Sequence, residues 1–336
     1  HQSSDFDKAL IHFAEPVKQT ERGLYWVKVH VANLFDQDKL SFNDRVKWVD
    51  DNMDMLQRIN TDPYENKEWI SDKKKKNPSF QRLAAVFELC RTDGLTQLAP
   101  QMDGACNGSQ HWAAIMGDEV IGTLTNVLPE DKPQDLYQFI ADKATEYCKL
   151  NTKDIPWCED FLEYWPDGID RAVTKRPTMC DAYGLTFYGI QKYIKIEGHV
   201  DWVPKDKQGG AIVELARAIQ AGLGEALQEP NRGKEWLKEC AEICGNAEMH
   251  LEYTVPSGFK VVHAYYQIKK RRSLASLFNH KELIFWNVSK DVHKDKAMLG
   301  IPPNYIHSLD ASHMFCTIKQ MINAGIERFS MIHDSY

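Results

Sequence analysis

The chain has 336 residues and a mass of 38.7 kDa, with 41 Lys and Arg against 48 Asp and Glu, a formal net charge of −7. That length exceeds what one compact core usually holds and implies two or three domains. A hydrophobic fraction of 43% with 26% charged residues excludes wholesale disorder and indicates a soluble globular protein. The acidic balance excludes binding to nucleic acid through a uniformly basic surface.

The eight cysteines form no CxxC pair and no zinc-finger spacing, so they read as reduced thiols of an intracellular protein. No apolar run approaches the roughly 20 residues of a membrane helix, and no signal peptide is present. The chain opens on His1 and stops at Tyr336 just after an apolar run; it reads as a fragment of a longer protein.

In chain order, the first 100 residues or so read as helical. Leu24, Val27, Val31 and Leu34 fall on one helix face, and Val46, Val49, Met53 and Leu56 repeat the pattern over residues 44–59. Lys73 to Lys76 form a solvated charge run, followed by a buried helix from Phe80 to Cys90. Leu95 to Ala99 read as a short strand leading to Asp103. Gly104 and Gly108 mark a tight bend, and His111 to Ile121 a helix.

Residues 127–170 hold 11 acidic and 4 basic side chains, which account for the whole net charge. Residues 171–213 hold 7 basic and 4 acidic side chains, and residues 253–296 hold 9 basic and 3 acidic, including Lys269 to Arg272. The basic charge is therefore local. Residues 214–252 are long, amphipathic and acidic. Pro256-Ser257-Gly258 between two β-prone runs signals a hairpin. Residues 308–324 read as a helix and Phe329 to Ile332 as a strand. The whole implies an α+β fold, mainly helical, with a small antiparallel sheet.

Asp103 and Asp334 each follow a strand-like run, a placement that can project a carboxylate into a cleft; for Asp103 taken alone, an Asp-Gly turn is the plainer account. Arg171, Lys175, Met179 and Tyr183 recur at every fourth position. On one helix they share a face, with Lys175 and Tyr183 ~12 Å apart along the axis, about the reach of a nucleoside triphosphate. A surface amphipathic helix is the plainer reading, and Pro177 either kinks that helix or marks its start. His307 and His313 are not at helical spacing, so a zinc pair is not expected.

Taken in order, Asp103-Gly-Ala-Cys-Asn-Gly-Ser-Gln-His111, Arg171 with Lys175 through Tyr183-Gly184, Pro303-Asn-Tyr-Ile-His307-Ser-Leu-Asp310 and His333-Asp334-Ser335 resemble the motifs of single-subunit, bacteriophage-type DNA-directed RNA polymerases. Mitochondrial RNA polymerases belong to the same family. The resemblance runs nearly end to end and includes Gly23-Leu-Tyr-Trp-Val-Lys28 and Thr254 to Phe259. It implies a right-hand polymerase with palm at residues 1–126 and 308–336 and fingers at 127–307. It also implies nucleotidyl transfer from NTPs to the RNA 3′-hydroxyl on a DNA template, by a monomer with no membrane contact. Asp103 and Asp334 would hold two Mg²⁺ ions. Lys175 would contact the triphosphate and protonate the leaving pyrophosphate, and Arg171 would grip the outer phosphates. Tyr183, followed by Gly184, would help select ribose, His307 would lie near the 2′-hydroxyl, and Lys28 would face nucleotide phosphate or template.

The segments that precede and follow this region in the family are missing, so the isolated chain is expected to be weak or inactive. A related DNA polymerase is the first alternative; Ser335, where a second acid would stand, argues against it. A non-catalytic nucleic-acid-binding remnant is the other. The short spacings between motifs favour a phage origin, hence the cytoplasm of an infected host cell, with the mitochondrion as the alternative.

Overall fold

A computed structural model describes residues 4–71, 78–101, 104–130, 133–275 and 281–331. The chain divides into two compact units, residues 1–104 with 321–336, and residues 105–320. Lys73 to Lys76, Asp103 and Asp334 lie outside the described residues.

The first unit contains α1 (Asp5–Ala9), β1 (Val17–Lys18), α2 (Glu21–Leu34), α3 (Phe42–Asp51), α4 (Met53–Thr61), α5 (Ser79–Leu89) and β2 (Leu95–Thr96). The Thr20 hydroxyl starts α2 by accepting the Gly23 amide at 3.0 Å, and Ser41 starts α3 by accepting the Asp44 amide at 3.2 Å. The α2 stripe of Val27 and Val31 packs against Val49, Leu56, Ile59, Ala85 and Val86. Each buried Val, Leu or Ile among them contributes about 1.5–3 kcal/mol. The pattern over residues 44–59 resolves into two helices, because Asn52 caps α3 and breaks the run.

The expected strand over residues 95–99 pairs only at Leu95 and Thr96, antiparallel to β1. Beyond that point the amides of Gln97 and Leu98 donate to the Glu88 carboxylate at 2.5 and 3.3 Å, which ends the ladder. The expected terminal strand is likewise not formed at Phe329 to Met331, since no described strand offers them a ladder partner.

The second unit contains α6 (Asn107–Met116), α7 (Glu119–Leu124), α8 (Leu136–Asn151), α9 (Pro156–Tyr164), α10 (Arg171–Asp181), α11 (Phe187–Glu197), α12 (Gln208–Ala226) and α13 (Gln228–Asn246). It continues with β3 (Leu251–Thr254), β4 (Lys260–His263), β5 (Tyr266–Ala275) and β6 (Lys281–Val292), and most of α14 (Lys294–Asn323). Its core joins Ile140, Ala144 and Cys148 of α8 with Phe161 of α9, Ile194 of α11, and Leu215 and Ile219 of α12. Gly222 permits the close approach of α12 to α8: a Cβ there would lie 3.0 Å from the Ile140 carbonyl oxygen.

The helix expected from His111 to Ile121 is two, parted at Gly117 with φ 66°. The hairpin at Pro256-Ser257-Gly258 is present, with Thr254 opposite Lys260. The basic run Lys269 to Arg272 lies in a second, longer antiparallel hairpin, β5–β6. The described residues thus form a mainly helical α+β fold with three two-stranded antiparallel sheets.

The helix expected over 308–324 begins instead at Lys294 and runs through Gly300, Pro302 and Pro303. Packing overrides those breakers. The Tyr265 hydroxyl would lie 2.7 Å from a Cβ at Gly300, and the Asn304 amide donates to His263 Nδ1 at 3.1 Å and to Tyr265 Oη at 3.3 Å. The tertiary contacts hold a helix that local propensity would end.

Candidate functional site around Tyr183

Helix α10 starts at Arg171 because the Asp170 carboxylate accepts the Ala172 amide at 2.7 Å. A cation in the first turn opposes the helix dipole, and a second acid offsets it: Arg171 Nε donates to Asp135, which itself caps α8 through the Tyr137 and Gln138 amides. The Arg171 guanidinium lies 4.9 Å from the Tyr137 ring centroid, and Lys175 Nζ lies 6.0 Å from the same ring. The four-residue spacing thus places both cations on one aromatic platform. Burial pushes the Tyr137 phenol up, with the Cys106 thiol beside it adding to the effect, so the platform is neutral. Pro177 is buried inside α10, whose inner face is anchored by the Thr174 hydroxyl donating to the Tyr137 carbonyl at 2.7 Å.

Tyr183 does not continue that row. The helix ends at Asp181, and the amides of Tyr183 and Gly184 bond to the carbonyls three residues back, at 3.1 and 2.9 Å. Gly184 takes φ 80°, which turns the chain out of the helix. The expectation of one continuous helix face from Lys175 to Tyr183 is therefore corrected: Met179 is the last of the four on the helix. The turn places the Tyr183 ring on His307 of α14, with centroids 4.6 Å apart and planes 28° apart.

Three neighbours fix this turn. Gly108 lies inside α6 rather than at a bend, and its missing side chain leaves room for Tyr183; a Cβ there would stand 2.5 Å from Ala182 Cβ and 3.2 Å from Tyr183 Cζ. The buried Trp112 donates its Nε1–H to the Ala182 carbonyl at 3.0 Å. Lys234 of α13 bonds to Asp181. Just upstream, Cys106 caps α6 at φ 68°, a left-handed conformation uncommon outside glycine. On the α14 side, His111 Nε2 lies 2.8 Å from the buried Asp310 carboxylate, tying α6 to α14 one turn beyond His307. A pocket of about 590 Å³, lined in part by Val255, Phe259, Tyr265 and Phe315, reaches His307 from the β3–β4 hairpin.

Of the residues singled out in the sequence, the structure joins Tyr183 with His307, and Arg171 with Lys175 across Tyr137. Lys28 lies in the first unit, where it pairs with Asp50 of α3. Among the described residues no group of three His, Cys, Asp or Glu could hold a metal ion. Sequence reasoning missed Asp135, Tyr137, Trp112, Asp181 and Lys234. Only Asp135 carried a local signal, an N-cap acid directly before an apolar helical pattern.

The family model of DNA-dependent RNA polymerase matches residues 17–336. The mitochondrial DNA-directed RNA polymerase of Schizosaccharomyces pombe is 30% identical over all of this chain and 30% of its own length. The chloroplastic/mitochondrial DNA-directed RNA polymerase 2 and chloroplastic DNA-directed RNA polymerase 3 of Nicotiana sylvestris are each 29% identical over the whole chain, which covers 34% and 35% of them. The chain thus spans about a third of the length of the curated relatives it matches. These relatives are organellar enzymes of cellular organisms, which overturns the expectation of a phage-encoded protein in an infected host cell. Motif spacing was a poor guide to origin because loop lengths between fixed motifs drift freely. No described helix is long and apolar enough to cross a membrane. With nearly its whole length matched, the chain belongs to the DNA-dependent RNA polymerase family, in its single-subunit form.

Proposed function

We propose that the protein carrying this chain is a DNA-directed RNA polymerase that transfers nucleoside monophosphates from NTPs to the RNA 3′-hydroxyl on a DNA template. The observation that carries this reading is the layout of α10, with Arg171 and Lys175 over Tyr137 at one end and Tyr183 stacked on His307 at the other. Asp135 takes Arg171 Nε, so phosphate oxygens meet the terminal guanidinium nitrogens. Lys175 Nζ neutralises the triphosphate and gives a proton to the departing pyrophosphate. Tyr183 and His307 read the ribose 2′-hydroxyl, and Gly184 lets the chain turn away from the sugar. Positioning and charge neutralisation dominate such a transfer.

The donor set for divalent ions is a pair of carboxylates, Asp103 and Asp334, hard oxygen ligands that fit Mg²⁺. Two Mg²⁺ ions bound there would activate the 3′-hydroxyl and stabilise the leaving pyrophosphate. The palm comprises residues 1–126 and 308–336 and the fingers residues 127–307. Template and product meet Lys28 in the first unit and, in the second, the β5–β6 ribbon, where Lys270 lies over exposed Trp286 and Arg272 is exposed two residues further on. The organellar relatives favour an organelle as the place of action.

The test is Mg²⁺-dependent NTP incorporation on a primed template by the full-length protein. Asp103→Asn and Asp334→Asn should each lower the rate by more than about 100-fold, beyond the loss typical of residues that only support a metal ligand. Near-normal activity in either variant would overturn the metal assignment.

A further inference from the structure

Lys234 is the one lysine among the described residues that is fully buried, at 5% exposure. Lysine is almost never buried without a partner, and this one has two. Its Nζ donates to Asp181 Oδ2 at 2.6 Å and to the Asp181 carbonyl at 3.0 Å. Asp181 is the last residue of α10, so its carbonyl has no i+4 amide of the helix; it accepts the Gly184 amide of the turn at 2.9 Å and shares its second lone pair with Lys234. A cation there also complements the negative end of the helix dipole. The next carbonyl, of Ala182, is taken by Trp112. The two carbonyls directly before Tyr183 are therefore each held by a side chain from another helix.

We infer that the Lys234–Asp181 pair is a positioning element for Tyr183, fixing the turn so that the phenol meets His307 and the incoming sugar, and thereby setting the preference for ribose over deoxyribose. This rests on the proposed role of Tyr183. Neither residue touches substrate; both act through the turn. Recognition of a single hydroxyl depends on placement within about 0.5 Å by locked supporting residues. Losing one partner leaves a lone charge buried beside the turn, and relieving it requires the last turn of α10 to shift toward water. Removing both charges together lifts that demand, so discrimination should respond to the pair and not to either residue alone.

The experiment measures kcat/KM for ATP and dATP on a primed template with the full-length protein and four variants. Tyr183→Phe calibrates the loss of discrimination. Lys234→Met is expected to lower the ATP:dATP ratio by about tenfold, within the range of couplings between contacting residues, while kcat for ATP stays within about threefold. Asp181→Leu should behave alike. The double variant Asp181→Leu with Lys234→Met should recover the ratio to within about threefold of the parent, as buried ion pairs replaced by apolar pairs often keep the fold. Lys234→Gln, close in length, stands in if Lys234→Met fails to fold. A Lys234→Met enzyme with an unchanged ratio beside a relaxed Tyr183→Phe enzyme would overturn the inference and leave the role of Tyr183 standing. So would a double variant whose ratio stays low. An unchanged ratio in Tyr183→Phe would remove the proposed role of Tyr183 and this inference with it.

Discussion

The turn that carries Tyr183 and the β5–β6 ribbon belong to the same compact unit and are built in opposite ways. Around the turn, Trp112 and Lys234 satisfy consecutive carbonyls, and Gly108 and Gly233 lack side chains where rings and methyl groups crowd in; a Cβ at Gly233 would stand 2.5 Å from Trp112 Cζ3. Among the described residues the two strands of the ribbon pair only with each other, and Ile268, Phe285, Trp286 and Val288 are 49%, 49%, 66% and 68% exposed. A lone two-stranded ribbon is marginal in water. The contrast separates two tasks. On the proposed function, a turn that reads a sugar hydroxyl needs parts that do not move, whereas a ribbon that follows a nucleic acid backbone would tolerate being unpartnered until the nucleic acid binds.

The packed turn is most sensitive to change at Gly108. Because a Cβ would overlap Ala182 Cβ at 2.5 Å, with neither atom at the end of a flexible chain, Gly108→Val should destabilise the second unit by about 2–4 kcal/mol. Gly224 of α12 is the control: a Cβ there meets nothing within 4 Å, and Gly224→Ala should stabilise by up to about 1 kcal/mol through helix propensity. Urea unfolding of both variants checks this. Equal effects would mean that the packing at the turn is not tight.

Acid should weaken the packed regions and spare the exposed ones. His30 of the first unit is buried, and burial lowers its pKa from 6.5 to about 4. Its Nδ1 accepts the Gln101 amide at 3.3 Å, a bond that requires the unprotonated nitrogen. The unfolded chain takes up a proton near pH 6.5 and the folded chain only near 4. Stability present above 6.5 is therefore lost progressively as pH falls toward 4, in all about 3 kcal/mol. Below the ordinary glutamate range Glu88 adds to the loss. Burial raises its pKa, but the amides of Gln97 and Leu98 and the charge of Arg91 outweigh this and hold it down. Asp291 in the ribbon is also lowered, by Lys269, yet it is exposed and adds little. Unfolding free energy followed from pH 8 to 4 should slope downward below 6.5, and His30→Asn, whose side chain does not titrate, should flatten that slope.

How much of this was legible in the sequence depended on range. The α2 stripe, the α5 helix and the turn at Pro256-Ser257-Gly258 are local patterns, and each reads directly into structure. The first half of α14 was hidden because Gly300, Pro302 and Pro303 are breakers by propensity, while the contacts that override them come from Tyr265 and His263 on another element. Tyr183 and His307 were both legible through family motifs, but their stacking was not, since no periodicity links α10 to α14. Lys234 was least visible. A lysine in an acidic, amphipathic helix reads as solvent-facing, and only the half-buried Asp181 across the packing makes it otherwise.

The smallest stability effect belongs to the ribbon, where the comparison predicts a large change in binding instead. Lys270 Nζ lies 5.7 Å from the Trp286 ring centroid, and Arg272 is exposed on the same strand. Neither is buried, so Lys270→Ala with Arg272→Ala should move unfolding free energy by less than about 0.5 kcal/mol. Each cation that meets a phosphate releases a counterion, so affinity for a primed template should fall and the slope of log K against log salt should drop by about one per residue removed. Trp286→Ala should weaken binding with the salt slope unchanged, because stacking on a base involves no counterion. Fluorescence anisotropy across a salt series separates the two behaviours. If the double cation variant kept the parent slope, the ribbon would not be facing phosphates, and its exposed aromatic side chains would have to be explained by a protein partner. If its stability fell by several kcal/mol, the ribbon would be a packed element like the Tyr183 turn, and the division of labour between the two would be lost.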